Sequence, residues 1–248
     1  MKGPFHILNG DALLKKFPTA IAGTRIVARE CLVDGPVTTS SLKALFELRA
    51  QFLSESYKVC TPKEYQRDSA SQFKQLLQIP PAAEIHLWFE DDLFCQVNKW
   101  FVLYLLQNRH DCSIYEVRPD KRSPYGFSTY TTAALEKLYA AKKPIPLPSL
   151  LCELWPAYVN AATDQLQSLA QSLDAEHEPV KKAIKAHLDR LPKDGNLGLP
   201  QETLKGIIAE LDTDDFGPVF QAFQQRLPFY GFGDLQVKRM WEALQKDS

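Results

Sequence analysis

The run EIHLWF, Glu84 to Phe89, is apolar at nearly every position and is followed at once by three acids, Glu90, Asp91 and Asp92. Such a run fits the centre of a parallel sheet that is covered on both faces. Beyond the acids the spacing changes. In DLFCQVNKWFVLYLLQ the apolar residues fall at 93, 94, 97, 101, 104 and 105, and Trp100 and Leu103 widen that face, which predicts an extensively buried helix. CSIYEV, Cys112 to Val117, then reads as a further strand. Strand, helix and strand in this order predict a right-handed parallel crossover and an α/β fold.

The rest of the first half fits that frame. FHIL is a short strand, followed by Asn9-Gly10-Asp11 and a helix with Leu13, Leu14 and Phe17 on one face. Arg25 to Ala28 is a second strand, and Asp34-Gly35-Pro36 is a turn signal. Ser40 to Gln78 alternates apolar and charged residues at helical spacing, with Pro62 placed to start a second helix. DKRSPYGF, Asp120 to Phe127, is a polar link, and Pro144, Pro146 and Pro148 punctuate the segment after it. The remainder is helical in pattern, and Pro200 marks one helix start. The expected fold is α/β: a three-layer-like, open, mostly parallel sheet with flanking helices over 1–125. A mainly helical C-terminal region follows over 126–248, either a small separate domain or a helical cover.

Lys plus Arg is 29 and Asp plus Glu 30, a net charge of -1 that does not favour nucleic acid as a partner. Val97 to Gln107, the most apolar stretch, is too short to span a bilayer. The first residues run directly into a strand without the pattern of a signal peptide, so a cytoplasmic protein with no membrane partner is expected. The five cysteines include no CxxC pair and suggest neither a disulfide framework nor structural zinc. They read as small buried hydrophobes. Cys95 is set apart, because a thiol near a helix N-terminus can have a lowered pKa.

Two strand–helix junctions share a pattern: His6-Ile-Leu-Asn-Gly-Asp11 and His86-Leu-Trp-Phe-Glu-Asp91, each followed by bulky apolar residues. If their strands are parallel neighbours, both sets of acids lie at the carboxyl edge of the sheet, where open α/β folds bind ligands. Asp11, and Asp91 or Asp92, would also serve as helix caps. A cap needs one acceptor, whereas Glu90, Asp91 and Asp92 offer three adjacent carboxylates. The excess calls for solvation, a counter-charge or a metal. Arg29 is a candidate bidentate counter-charge. Asp34 is a further acid facing this edge, Asn9-Gly10 would admit a ligand close to the backbone, and Gln96 is near enough to reach inward. Catalytic candidates are therefore Glu90, Asp92 and Asp11, with Asn9, Gly10, Arg29, Glu30 and Gln96 as ligand-binding candidates.

No GxGxxG, GxxxxGK[ST] or GxSxG motif is present. His6 and His86 read as packed strand residues and not as zinc ligands. No metal is assigned, although Asp and Glu beside Asn and Gln would suit Mg²⁺ if one bound. The cofactor is left unknown.

HILNGD (His6 to Asp11), VARECLVDGP (Val27 to Pro36) and LWFEDDLFCQVN (Leu87 to Asn98) resemble the bacterial proteins of domain-of-unknown-function family 1835. The likeness covers about residues 4 to 120 and is weaker over the C-terminal helices. The family has no established activity, so the resemblance implies no reaction. It does point to Asn9, Gly10, Asp11, Arg29, Glu30, Gly35, Pro36, Glu90, Asp92 and Gln96.

Two functions follow. One is a small-ligand-binding or metal-assisted enzyme domain that uses a carboxylate cluster at the carboxyl edge of the sheet. It expects Asp11, Arg29, Glu90 and Asp92 to converge in one pocket. The other is a regulatory or adaptor protein with a protein partner, in which TLKGIIAEL and GDLQVKRMWEAL form a helix-turn-helix-like unit. Its nucleic-acid version expects one basic face of Lys181, Lys182, Lys185 and Arg190.

Overall fold

In the computed structural model, which describes residues 3–120, 125–147 and 149–246, five strands form one sheet in the order β2-β1-β3-β4-β5. Residues 121–124 of the polar link and Pro148 lie outside the described residues. β1 (Phe5–Leu8), β2 (Thr24–Val27), β3 (Glu84–Trp88) and β4 (Ser113–Val117) are parallel, and the two-residue β5 (Lys143–Pro144) closes one edge antiparallel to β4. β1 to β4 lie within a residue of where the apolar runs place them, and β5 falls in the proline-punctuated segment, where the sequence pattern predicts no strand.

Helices cover both faces. α1 (Asp11–Lys16) joins β1 to β2, and α2 (Leu42–Phe52), α3 (Pro62–Tyr65) and α4 (Ser71–Leu77) lie between β2 and β3. Thr61 closes a capping box with Glu64, and Pro62 occupies the first turn of α3. α5 (Leu93–Leu106) joins β3 to β4. The crossover through α1 and the crossover through α5 run toward opposite edges of the sheet. Right-handed crossovers of opposite direction must use opposite faces.

Alternation along the strands sorts the core into two halves. Leu8, Trp88 and Val117 pack with Leu13, Phe17 and Leu135, the last from α6 (Thr132–Ala140). Ile7, Ile85, Leu87 and Ile114 pack with Phe46 of α2, Phe73 of α4 and the interior of α5. The expected three-layer α/β architecture is present.

α5 is buried from Cys95 through Leu103, because the sheet lies on one side and C-terminal helices on the other. Each of its large apolar side chains contributes roughly 1.5–3 kcal/mol by leaving water. The C-terminal helices are α7 (Leu154–Val159), α8 (Thr163–Ser172), α9 (Glu178–Asp189), α10 (Leu199–Leu211), α11 (Phe216–Arg226) and α12 (Asp234–Lys246). One continuous apolar cluster joins Leu87 and Phe101 to Trp155, Ile184, Phe223 and Val237. The helical region therefore shares its core with the sheet, and α6 and β5 from beyond residue 125 belong to the sheet's own layers. No helix among the described residues is long and apolar enough to cross a membrane.

Candidate functional site

β1 and β3 lie side by side, with Leu8 opposite Trp88, and the Asn9 amide adds one more bond to the Trp88 carbonyl at 3.2 Å. The connection from β1 turns toward one edge of the sheet, whereas β3 leads toward the other. Asn9-Gly10-Asp11 and Glu90-Asp91-Asp92 thus flank the topological switch point, the crevice where open α/β sheets bind ligands. Gly10 makes the turn out of β1 at φ 88°, a backbone region that favours glycine.

Asn9 is the hinge of a polar chain. Its Nδ2 donates to Cys95 Sγ at 2.7 Å, and Cys95 Sγ donates to Glu90 Oε2 at 2.8 Å. The other Glu90 oxygen accepts the Phe127 amide at 2.8 Å. On the opposite side Asn98 Nδ2 donates to Asn9 Oδ1 at 3.0 Å and to the Glu30 carbonyl at 2.6 Å, while Asn98 Oδ1 accepts the Leu32 amide.

The three adjacent acids divide their work. Asp92 caps α5, its Oδ1 accepting the Cys95 amide at 2.9 Å. Asp91 pairs with Arg118 through two hydrogen bonds of 3.1 and 3.0 Å. Glu90 takes the thiol. Asp92 is almost fully buried, and burial together with the neighbouring Glu90 charge pushes its carboxyl up to about 7. Gly231, at φ 63°, fits directly over it, since a Cβ there would lie 2.1 Å from Asp92 Oδ1.

Several expectations are corrected. Arg29 does not neutralise the Glu90 cluster. Its Nε reaches both oxygens of Asp11 at 2.9 and 2.8 Å, and its Nη1 donates to the Asp68 carbonyl at 2.7 Å. Asp11 does not cap α1, for Gly10 occupies the cap position and the Asp11 carboxylate turns to Arg29. The Cys95 thiol is not activated by its helix N-terminus. Burial and the charges of Asp92 and Glu90 raise its pKa well above the ordinary range, because the nearest helix amide is spent on Asp92 and the sulfur sits between carboxylates. Asp34 turns toward Arg239 of α12. Arg190 leaves the expected basic face, donating to the Val33 carbonyl and the Tyr158 hydroxyl. Lys182 and Lys185 pair with Glu178 and Asp189. The helices containing TLKGIIAEL and GDLQVKRMWEAL are not consecutive, since α11 stands between them.

Glu30 is committed within the fold. Its carboxylate accepts Arg49 Nε and Nη2 at 2.9–3.2 Å and the Tyr65 hydroxyl at 2.6 Å, with both charged side chains buried. Gln96 reaches inward as its position suggests, and its Nε2 donates to the Glu90 carbonyl at 2.7 Å. His6 and His86 face each other in register, and Trp88 Nε1 donates to His6 Nδ1 at 3.2 Å. That leaves His6 Nε2 as the donor to the Ala22 carbonyl at 3.0 Å.

A cleft of about 550 Å³ opens beside the crevice, lined by Asp11, Arg29, Tyr57, Asp68, Phe94 and Gln236 among others. Glu30 and Gly231 also line it, Asp92 lies directly behind Gly231, and Glu90 takes no part in the lining. The expected convergence is therefore split into a cleft with Asp11 and Arg29, and a separate cluster of the half-buried Glu90 and the buried Asp92. Two π-helical turns, Leu53–Tyr57 and Gln66–Ala70, supply cleft residues, and such turns recur at functional sites. Sequence reasoning missed Arg49, whose signal is an arginine on the apolar stripe of α2 beside Leu45 and Phe46. It also left Cys95 and Asn98 outside the candidate set. α12 closes the cleft from above: Gln236 Nε2 donates to the Tyr57 hydroxyl at 3.0 Å, and Tyr57 and Arg239 both donate to Asp34.

No protein-family model, curated protein or solved structure matches the chain.

Proposed function

We propose that this protein binds a small organic molecule in the cleft at the carboxyl edge of its sheet, with Asp11 and Arg29 as the polar contacts nearest the ligand. The observation that carries this reading is the strand order. It brings Asn9-Gly10-Asp11 and Glu90-Asp91-Asp92 to the two sides of the switch point, next to a cleft of about 550 Å³. That volume lies within the usual range for small-molecule sites. Tyr57, Phe94 and Leu53 offer apolar contact, and the Asp11–Arg29 pair offers both a donor and an acceptor. The guanidinium is already held by Asp11 and the Asp68 carbonyl, so the cleft is better suited to a neutral or zwitterionic molecule than to a polyphosphate. The resemblance noted in the sequence implies no reaction and adds no weight to this reading. A cytoplasmic setting belongs to the same proposal, and the five free cysteines suit a reducing compartment.

The test is equilibrium dialysis of the intact protein against a cell-extract small-molecule fraction, followed by mass spectrometry of what is retained. Wild type should enrich a compound that Asp11→Asn and Arg29→Gln both lose while keeping the wild-type circular dichroism spectrum. Equal retention by wild type and both folded variants would move the site elsewhere. No retention by wild type would count against binding altogether.

A further inference from the structure

Behind the cleft, Glu90, Asp92 and Cys95 each present a ligand atom within 4.8 Å of the others. Asp92 and Cys95 are 3% and 5% exposed. Among the described residues no lysine or arginine forms an ion pair with Glu90 or Asp92, although Asp11, Asp34 and Asp91 nearby each have an arginine. Asp92 is buried beside the half-buried Glu90, and a buried carboxylate without a cation is costly to keep charged. A second observation is independent of these acids. Gln96 is 1% exposed and its Oε1 has no hydrogen-bond partner, while its Nε2 is fixed on the Glu90 carbonyl at 2.7 Å. The amide is thus held against the Glu90 turn with a buried oxygen unsatisfied, a condition that calls for an explanation. The sulfur also has a support of the kind metal ligands have, since Asn9 Nδ2 donates to it at 2.7 Å and Asn98 fixes Asn9 in turn.

We propose that Glu90, Asp92 and Cys95, completed by the Gln96 carbonyl oxygen, form a binding site for a divalent transition metal of the zinc class. A sulfur in the donor set favours such a metal over Mg²⁺, which the oxygen-bearing residues alone would suit. On binding, the S–H bond breaks, a metal–sulfur bond forms, and the thiol proton leaves to solvent; no electron is transferred. Asp92 Oδ1 keeps its bond to the Cys95 amide and the second oxygen takes the metal. Asp11 and Arg29 take no part, so this site and the cleft can fail separately.

Cobalt(II) chloride is the probe, added to the intact chain after dialysis against EDTA. A near-ultraviolet thiolate-to-cobalt absorption band should saturate at one equivalent and be displaced by zinc chloride. Cys95→Ser should abolish the band, and Asp92→Asn, which keeps a good helix cap, should weaken binding at least about tenfold. Cys31→Ser should leave it intact. Folded wild type without the band overturns the proposal whatever the variants do, and so does a band that survives in Cys95→Ser.

Discussion

Asn98 holds Asn9 in place: a single side-chain amide on α5 donates to Asn9 Oδ1 at 3.0 Å and to the Glu30 carbonyl at 2.6 Å. The end of β1, the loop after β2 and the helix after β3 are tied at one buried point. Asn98→Ala removes these donors and also the acceptor of the Leu32 amide, leaving buried polar groups unpaired. A loss of about 1–3 kcal/mol is expected in urea unfolding. A change below about 0.5 kcal/mol would show that the junction is not held by this residue.

Removing Arg49 should cost more. Arg49→Met leaves Glu30 buried without its cation, and the expected loss is about 3–5 kcal/mol by guanidinium unfolding. Adding Glu30→Gln removes the stranded charge and should restore part of that loss. A double variant as unstable as the sum of both single variants would contradict a charge-pairing account.

Buried histidines give the fold an acid-sensitive component. Burial, with the charge of Arg190, pushes His187 down to about 3, and burial pushes His6 down to about 4. The unfolded chain then binds more protons than the folded one, so each histidine lowers stability as pH falls from about 6.5 toward its folded value. Asp91 and Asp92 are raised, mainly by burial, and act in the opposite sense. The clean measurement is therefore a difference. Relative to His187→Gln, wild type should lose up to about 1.4 kcal/mol per pH unit between pH 6.5 and 4 in urea titrations. A difference that grows in favour of wild type on acidification would reverse the assignment.

Gly231→Ala is expected to destabilise by about 1–3 kcal/mol. The position has φ 63° and its added methyl would meet Asp92 Oδ1. Because Asp92 caps α5, the lowered melting temperature should come with weaker hydrogen-exchange protection at the Cys95 amide. Unchanged protection there would separate the turn from the cap.

What the sequence made legible follows from local physics. FHIL and EIHLWF are strands because they are apolar at nearly every position, and their burial from His6 to Leu8 and Ile85 to Trp88 matches that composition. A cap at Asp91 or Asp92 reads from an acid before an apolar helical run, and Asp92 is the one that takes it. The carboxyl edge was legible too, once two such junctions were set side by side. The partners of the acids were not. Arg118 for Asp91, Arg29 for Asp11 and Arg239 for Asp34 depend on how the loops and α12 fold back, which no short-range spacing encodes. The π-helical turns around Tyr57 and Asp68 have no compositional mark. Cys95 was misread electrostatically because a helix N-terminus was weighed without the acids that surround it.

The bond between Asp34 and Arg239 spans 205 positions, and Gln236 on the same helix completes the cleft against Tyr57. During synthesis at roughly 5–20 residues per second, Asp34 leaves the ribosome on the order of 10–40 s before Arg239. The sheet can assemble in that interval, but the cleft cannot. The cleft is therefore completed only when α12 is made, and a nascent chain stalled before α12 would carry a folded edge with an open, unfinished pocket.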